Sequence, residues 1–248
     1  MLEKELIRLT HPSAKAFITV FQVLGSIVDE TLIKFTSDGL SIRALDPAKV
    51  ALIEIDIPSS AFLEYYIDRE LSIGMNLSAL LKVMSKPKKT DKLVFKGSED
   101  FYELTIEGAV IKRYKFRSIE VAASELPELS LDFSVKALML AQAFKSTIKD
   151  LKGVGSITFL VEDEENLYIR AADGGAEAKL SKMGGSILEL EVKEPSKSTY
   201  DEDYLSRVLD LAGITENMEL QFGSDMPAKL SFNLADGSAV RYLLAPKA

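Results

Sequence analysis

Hydrophobic positions along the chain follow two periods. Ala16, Phe17, Val20, Phe21, Leu24, Ile27 and Val28 recur at i, i+3, i+4, i+7, the spacing of a helix that buries one face. A later segment carries Leu138, Leu140, Ala141, Phe144, Ile148 and Leu151 and predicts a second such helix. After each comes a pair of alternating runs, the mark of half-buried strands. Ile33 and Phe35, then Leu40, Ile42 and Ala44, flank the turn Ser37-Asp38-Gly39. Ile157, Phe159 and Val161, then Leu167, Ile169 and Ala171, flank an acidic turn from Glu162 to Asn166. A strand is expected over Ala51 to Ile57, stopped by Pro58, and further helices over Leu77 to Ser85 and Asp203 to Ala212. Alternating strands close each half, over 93–96 and 101–116, then 218–223 and 228–244.

The chain is written twice. Leu40-Ser-Ile-Arg-Ala-Leu-Asp46 aligns with Leu167-Tyr-Ile-Arg-Ala-Ala-Asp173, 127 positions later. Leu93-Val-Phe95 aligns with Leu220-Gln-Phe222 at the same spacing, and Arg113-Tyr114 with Arg241-Tyr242 at 128. Three matches in one order, two at 127 and one at 128, indicate a duplicated unit. Two helices and several antiparallel strands per unit make an α+β fold, with helices on one face of a sheet. The expected divisions are a first domain over 1–117, a connecting linker over 118–131 and a second domain over 132–248. The linker has neither period. Ile119, Val121, Leu126 and Leu129 alternate irregularly with Glu120, Glu125 and Glu128, and Pro127 forbids a continuous helix. Its apolar content predicts that it lies on a surface and packs there.

Composition removes several chemistries. Among 248 residues there is no cysteine and one histidine, which excludes disulfides, thiolate zinc sites and cysteine nucleophiles and leaves no basis for a Ser-His-Asp triad. His11, before Pro12, is expected in a solvated loop. No phosphate-binding glycine motif occurs. The acidic runs at Glu162–Glu165 and Asp201–Asp203 could ligate a hard cation, but a hairpin turn and a helix N-terminus explain them better. No cofactor and no catalytic residue are expected. Few Asn and Gln beside abundant Lys and Glu fit a heat-adapted protein. Without a signal-peptide pattern or an apolar run of membrane-spanning length, the chain reads as soluble and intracellular, cytoplasmic and associated with the nucleoid, or nuclear in a eukaryote.

The net charge of −8 argues against nucleic-acid binding only if the charges are evenly spread. They are not. Asn76 to Lys89 holds Lys82, Lys86, Lys88 and Lys89 with no acid, and Lys145, Lys149 and Lys152 share one helix face. The first helix offers Lys15; the fourth offers Arg207 among Asp201, Glu202, Asp203 and Asp210. Any one such helix is ordinarily a solvated face, but two at equivalent places in a repeat point to a shared use. Lysines meet phosphates as point charges, so such binding is sequence-independent and salt-sensitive.

Several stretches resemble a known family. Ser41-Ile-Arg-Ala-Leu-Asp-Pro-Ala-Lys-Val-Ala-Leu-Ile-Glu-Ile-Asp-Ile-Pro58 and Ile73-Gly-Met-Asn-Leu-Ser-Ala-Leu-Leu-Lys-Val-Met84 are similar to the first domain of sliding clamps of the proliferating cell nuclear antigen (PCNA) type. Phe222-Gly-Ser-Asp-Met-Pro227 and Tyr242-Leu-Leu-Ala-Pro-Lys247 resemble that family's last turn and tail, with a balance that looks archaeal. The resemblance covers the whole chain. It implies a ring of three subunits and six similar domains around double-stranded DNA, with helices lining the hole and nothing hydrolysed by the ring itself. Lys82 and Lys149 match basic positions on the family's inner helices; Lys15, Lys86, Lys145, Lys152 and Arg207 are added from helix placement. The first helix is poorer in base than is usual for clamps, and the fourth is net acidic.

The resemblance also implies partners. Client enzymes — DNA polymerase, flap endonuclease and DNA ligase — and an ATP-driven clamp loader would insert a Gln-containing peptide with aliphatic and aromatic anchors (a PIP-type peptide). Its apolar walls match Leu45, Leu126, Pro227, Leu243, Ala245 and Pro246. Subunits would join by edge strands, here Gly108 to Phe116, with Lys112 and Tyr114, and Ala176 to Lys182, with Ala178 and Leu180. The ring could be a homotrimer or a heterotrimer, and no membrane partner is expected. The acid-poor and acid-rich helices keep open a subunit of an obligate heterotrimer; a clamp-fold scaffold that binds peptides without encircling DNA is a further alternative.

Overall fold

A computed structural model describes residues 5–84, 86–122 and 130–247. The chain divides into two compact units. The first takes the described residues up to Leu45, those from Ile53 to Ala122, and Leu234–Ala239; the second takes Asp46–Leu52, the residues from 130 to Asn233, and those from Val240 onward.

The elements of the first half are β1 (Ile7–His11), α1 (Ala14–Gly25), β2 (Glu30–Thr36), β3 (Gly39–Leu45), β4 (Ala51–Pro58), β5 (Glu64–Ile67), β6 (Leu71–Asn76), α2 (Leu77–Val83), β7 (Lys92–Gly97), β8 (Phe101–Glu107) and β9 (Lys112–Arg117). The second half repeats them as β10 (Val135–Leu140), α3 (Ala141–Asp150), β11 (Ser156–Val161), β12 (Asn166–Ala171), β13 (Glu177–Ser181), β14 (Ile187–Val192), β15 (Ser196–Asp201), α4 (Glu202–Ser206), β16 (Asn217–Phe222), β17 (Ala228–Asn233) and β18 (Ala239–Leu244). Strand pairing repeats as faithfully. The first unit has the orders β5-β1-β7-β8-β9 and β4-β3-β2-β6, and the second has β14-β10-β16-β17-β18 and β13-β12-β11-β15. Buried aromatics keep the 127-residue spacing: Phe17 matches Phe144, and Phe95 matches Phe222.

Local chemistry sets the helix ends. Ser13 Oγ accepts from Ala16 N at 3.1 Å and starts α1, and Asn76 Oδ1 accepts from Ala79 N at 2.7 Å and starts α2. Asp201 does the same for α4. α1 buries Phe17, Val20, Phe21 and Leu24 and packs against α2 and β7. A Cβ on Gly25 would come within 2.4 Å of the terminal methyl of Leu81, where α1 meets α2.

The structure departs from the sequence expectations in four places. Leu138 and Leu140 belong to strand β10, not to a helix, because the inward set is Val135, Ala137 and Met139 with period two; the helix starts at Ala141. The expected helix over Asp203 to Ala212 is a short α4 followed by a 3-10 turn, Leu209–Gly213. Leu205, Val208, Leu209, Leu211 and Ala212 are all buried, a set that contains both a three-residue and a 3.6-residue spacing, so the apolar pattern does not distinguish the two helix types. α2 stops at Val83, with Met84 already extended, and Pro87 biases Lys86 directly before it away from helix, so Lys86 lies outside α2.

His11 is the fourth departure. It is 2 % exposed on the inward face of β1, with Ile7 and Leu9. Its Nδ1 lies 2.9 Å from Ser13 O and its Nε2 3.2 Å from the Asp236 carboxylate, and its ring abuts Phe17 and Phe62. Burial pushes the Asp236 carboxyl up, but the hydrogen bonds from His11 and Ser238 outweigh it and hold the group at about 2, against an ordinary 3.8.

A depressed carboxyl stabilises the fold above its unfolded value and loses that contribution as the pH falls through its folded value. Asp236→Ala is therefore expected to cost about 1–2 kcal/mol at neutral pH, discounted for partial exposure. In chemical denaturation the gap to wild type should be full above pH 4 and narrow as the pH falls toward 2.

Candidate functional site

Three features of the structure bear on function: the basic helix faces, the apolar surface held at the C-terminal tail, and the strands at the sheet rims.

Of the seven candidate DNA contacts, Lys15 on α1, Lys82 on α2, Lys86 beyond it, Lys149 on α3 and Lys152 just after it are exposed. Lys145 is not exposed in the same way. Its ammonium sits 3.0 Å from Asp210, on the 3-10 turn that packs against α3. Arg207 is half-buried, with its guanidinium 4.0 Å from the centre of the Tyr204 ring. These two cations have intramolecular partners, and the five lysines give the helices their outward positive charge. The acidic residues are used locally: Asp163 accepts the N–H groups of Glu165 and Asn166 in its own turn, and Asp201 caps α4. Among the described residues no group of three or more acids or histidines could hold a metal ion.

In the second unit, a chain of mostly half-buried hydrogen bonds fixes the loop that follows Leu45. Asp46 accepts the N–H groups of Ala48, Val50 and Ala51 at 3.1, 2.6 and 2.7 Å, and the Tyr204 hydroxyl at 2.8 Å. Burial raises its carboxyl pKa, and the bonds from Ala51, Tyr204, Val50 and Ala48 more than reverse the shift, so the net direction is down. Tyr242 donates to Tyr204 O at 3.1 Å. The tail is tied to this scaffold through Ala245 N to Val50 O at 2.9 Å and Lys247 N to Thr199 O at 2.7 Å. Tyr200 and Ser198 donate to Met226 O at 2.8 and 3.2 Å, just before Pro227. Pro227, Leu243, Ala245 and Pro246 are all half-buried beside these anchors. The tyrosines and Asp46 were not singled out from the sequence. The match between Asp46 and Asp173 in the repeat was the available signal.

In the first unit, Leu45 lines a groove of about 270 Å³ with Leu32, Arg43, Ala44, Val121 and Ala122 among its walls. The start of the linker is seated there. Ile119 N donates to Gly74 O at 3.1 Å, and a Cβ on Gly74 would lie 1.9 Å from Ile119 O. Only glycine lets the linker run this close to β6. Leu126 lies outside the described residues. At the rims, β9 carries Lys112 and Tyr114 and ends one sheet, and β13 carries Ala178 and Leu180 and ends another.

The family of the proliferating cell nuclear antigen N-terminal domain matches residues 1–132, and that of its C-terminal domain matches residues 126–247. The chain belongs to the PCNA family. It is 37% identical to DNA polymerase sliding clamp 1 of Aeropyrum pernix over 239 residues, 94% of this chain and 97% of that one. It is 34% identical to the DNA polymerase sliding clamp of Thermofilum pendens, over 98% of this chain and 99% of that one. Among solved structures, a chain of the PCNA2–PCNA3 complex from Sulfolobus tokodaii superposes with a TM-score of 0.90 at 33% identity, covering 97% and 99% of the two chains. PCNA from Thermococcus kodakaraensis gives 0.88 at 30% identity, covering 97% and 100%. The PCNA fold is thus present over nearly the whole chain, in both halves, and these relatives are archaeal.

Gly74→Ala should dislodge the start of the linker. The expected loss is about 1–3 kcal/mol in unfolding free energy, with faster amide exchange at Ile119, whose N–H loses its acceptor.

Proposed function

We propose that this chain is a DNA polymerase sliding clamp: a ring subunit that encircles duplex DNA and tethers replication and repair enzymes, catalysing nothing itself. The observation that carries the reading is the match of both duplicated halves to archaeal sliding clamps, at a TM-score of 0.90 over 97% of the chain. The charge layout supports it. An acidic chain exposes lysines on its helices, where weak and screened phosphate contacts hold DNA without register and leave the ring free to slide. Lys15, Lys82, Lys86, Lys149 and Lys152 carry that contact. Lys145 and Arg207 add to the positive field from their intramolecular partners.

Polymerase, flap endonuclease, ligase and clamp loader dock a peptide against Leu45, Leu126, Pro227, Leu243, Ala245 and Pro246. The Asp46–Tyr204–Tyr242 hydrogen bonds hold the second-unit walls in place before the peptide arrives, which lowers the ordering cost of binding. Subunits join through the rim strands β9 and β13, and the ring works where the chromosome lies, in the cytoplasm.

Charge reversal separates this reading from a peptide-binding scaffold that never surrounds DNA. Lys82→Glu with Lys149→Glu is expected to reduce polymerase stimulation about tenfold or more near physiological salt and to flatten the salt dependence of DNA binding. Binding of a Gln-containing client peptide, followed by calorimetry, should be unchanged. Full polymerase stimulation in the double variant would remove the phosphate-contact role and favour the scaffold.

A further inference from the structure

Several sheet rims in this chain are covered. The start of the linker bonds to β6 through Ile119 N and Gly74 O. β15 takes the tail through Lys247 N and Thr199 O, and the turn before Pro227 through Asp225 N and Lys197 O. In the ring reading β9 and β13 face neighbouring subunits. β14 is left over: it ends the order β14-β10-β16-β17-β18 and pairs with β10 alone. Lys193 N donates to Ser134 O, so by the alternation of an antiparallel ladder Lys193, Glu191 and Glu189 bond inward to β10. Leu190 and Val192 then aim their N–H and C=O groups at the rim, where no group among the described residues meets them.

β14 lacks most of the features that keep a rim unpaired. It is six residues long, Ile-Leu-Glu-Leu-Glu-Val, with no Pro, Gly or Lys, whereas its counterpart β5 has four residues. The register with β10 shifts at Leu188, ahead of Glu189–Val192, and leaves that side chain 45% exposed. The charges on the outward face alternate from strand to strand. Glu189 and Glu191 are exposed on β14, Lys136 stands opposite Glu191 on β10, and Glu219 on β16 lies 3.4 Å from the Lys136 ammonium. Glu219 first, then Glu191 and Glu189, hold the Lys136 pKa above its ordinary value. The next strand in this series would be basic. A second copy of β14 would set glutamate against glutamate, which opposes pairing. The chain's own residues 123–129 carry Glu125 and Glu128 and no base, so they match no better.

We propose that the β14 rim docks an extended segment of a partner protein in which basic residues alternate with apolar ones. The segment adds an antiparallel strand to the sheet. Its apolar residues stand opposite Leu190 and Val192 and exchange backbone hydrogen bonds with them, and its Lys or Arg residues stand opposite Glu189 and Glu191. The site uses none of the residues assigned to DNA or to the client peptide, so all three can be engaged at once.

The test uses the full chain and a capped eight-residue peptide of alternating Lys and Val, with amide exchange read residue by residue. Peptide at up to about 1 mM should slow exchange at Leu190 and Val192 in a saturable way. Methylating the peptide's valine nitrogens, which face the rim, should weaken binding about tenfold or more, and methylating its lysine nitrogens, which face solvent, should change it less than about threefold. Glu189→Gln with Glu191→Gln, on the exposed face, should weaken binding about three- to tenfold. Added salt should weaken binding more in wild type than in that variant. No protection at Leu190 and Val192, equal binding by the two methylated peptides, or unchanged binding in the glutamine variant would each overturn the inference. Protection that grows with protein concentration alone would put a second copy on the rim and overturn it too. None of these outcomes bears on the ring reading, which the Lys82 and Lys149 assay decides.

Discussion

A strand at the rim of a sheet leaves a row of backbone N–H and C=O groups without a ladder partner, and this constraint organises the molecule. The duplication gives each half the same two sheet orders. β9 ends the first unit's five-stranded order, and β13 ends the second unit's four-stranded order. Their repeat counterparts differ in composition: β18 buries Val240, Tyr242 and Leu244, where β9 leaves Lys112, Tyr114 and Phe116 half-buried. In the proposed reading the rims β9 and β13 meet in a ring, and closure removes these edges altogether.

Closure also explains how an acidic protein can serve DNA. A protein that holds DNA by affinity needs many phosphate contacts and becomes strongly salt-dependent. One that holds DNA by topology needs only enough positive charge to keep the duplex centred. The helices fit the second case. Their exposed cations are few and all lysine, and the two candidates with fixed intramolecular partners, Lys145 and Arg207, are tied to Asp210 and Tyr204. The apolar surface at the C-terminal tail follows the opposite logic. Hydrogen bonds of Asp46, Tyr200, Tyr204 and Tyr242 hold it in place, and in the proposed reading this lowers what a short peptide must spend on ordering its receptor.

Much of this was legible in the sequence. The repeat, the α+β class, the β2–β3 hairpin and the strand ended by Pro58 followed from alternation and turn residues whose local and tertiary preferences agree. The misses have physical causes. β15 reads Ser-Lys-Ser-Thr-Tyr-Asp, and its inward Ser196 and Ser198 carry no hydrophobic signal although both are buried. β10 runs directly into α3, so two periods overlap and Leu138 and Leu140 fit the wrong one. His11 sits beside a proline and reads as loop, but its burial depends on Asp236, 225 residues away. The partner of Lys145 was likewise invisible, since Asp210 lies 65 residues away on the turn that packs against α3, whereas Tyr204 lies only three residues before Arg207. The seat of the linker rested on Gly74, whose role appears only when Ile119 is placed against it.

The central claim is that retention on DNA comes from encirclement. The direct measurement is retention of the assembled clamp, placed by its loader, on closed circular DNA compared with the same DNA cut once. The account predicts that the clamp stays with the circle through gel filtration, leaves after linearisation, and is retained again when both ends are blocked. Equal retention on open-ended linear DNA, or loss from the closed circle at the same rate as from the cut one, would contradict it.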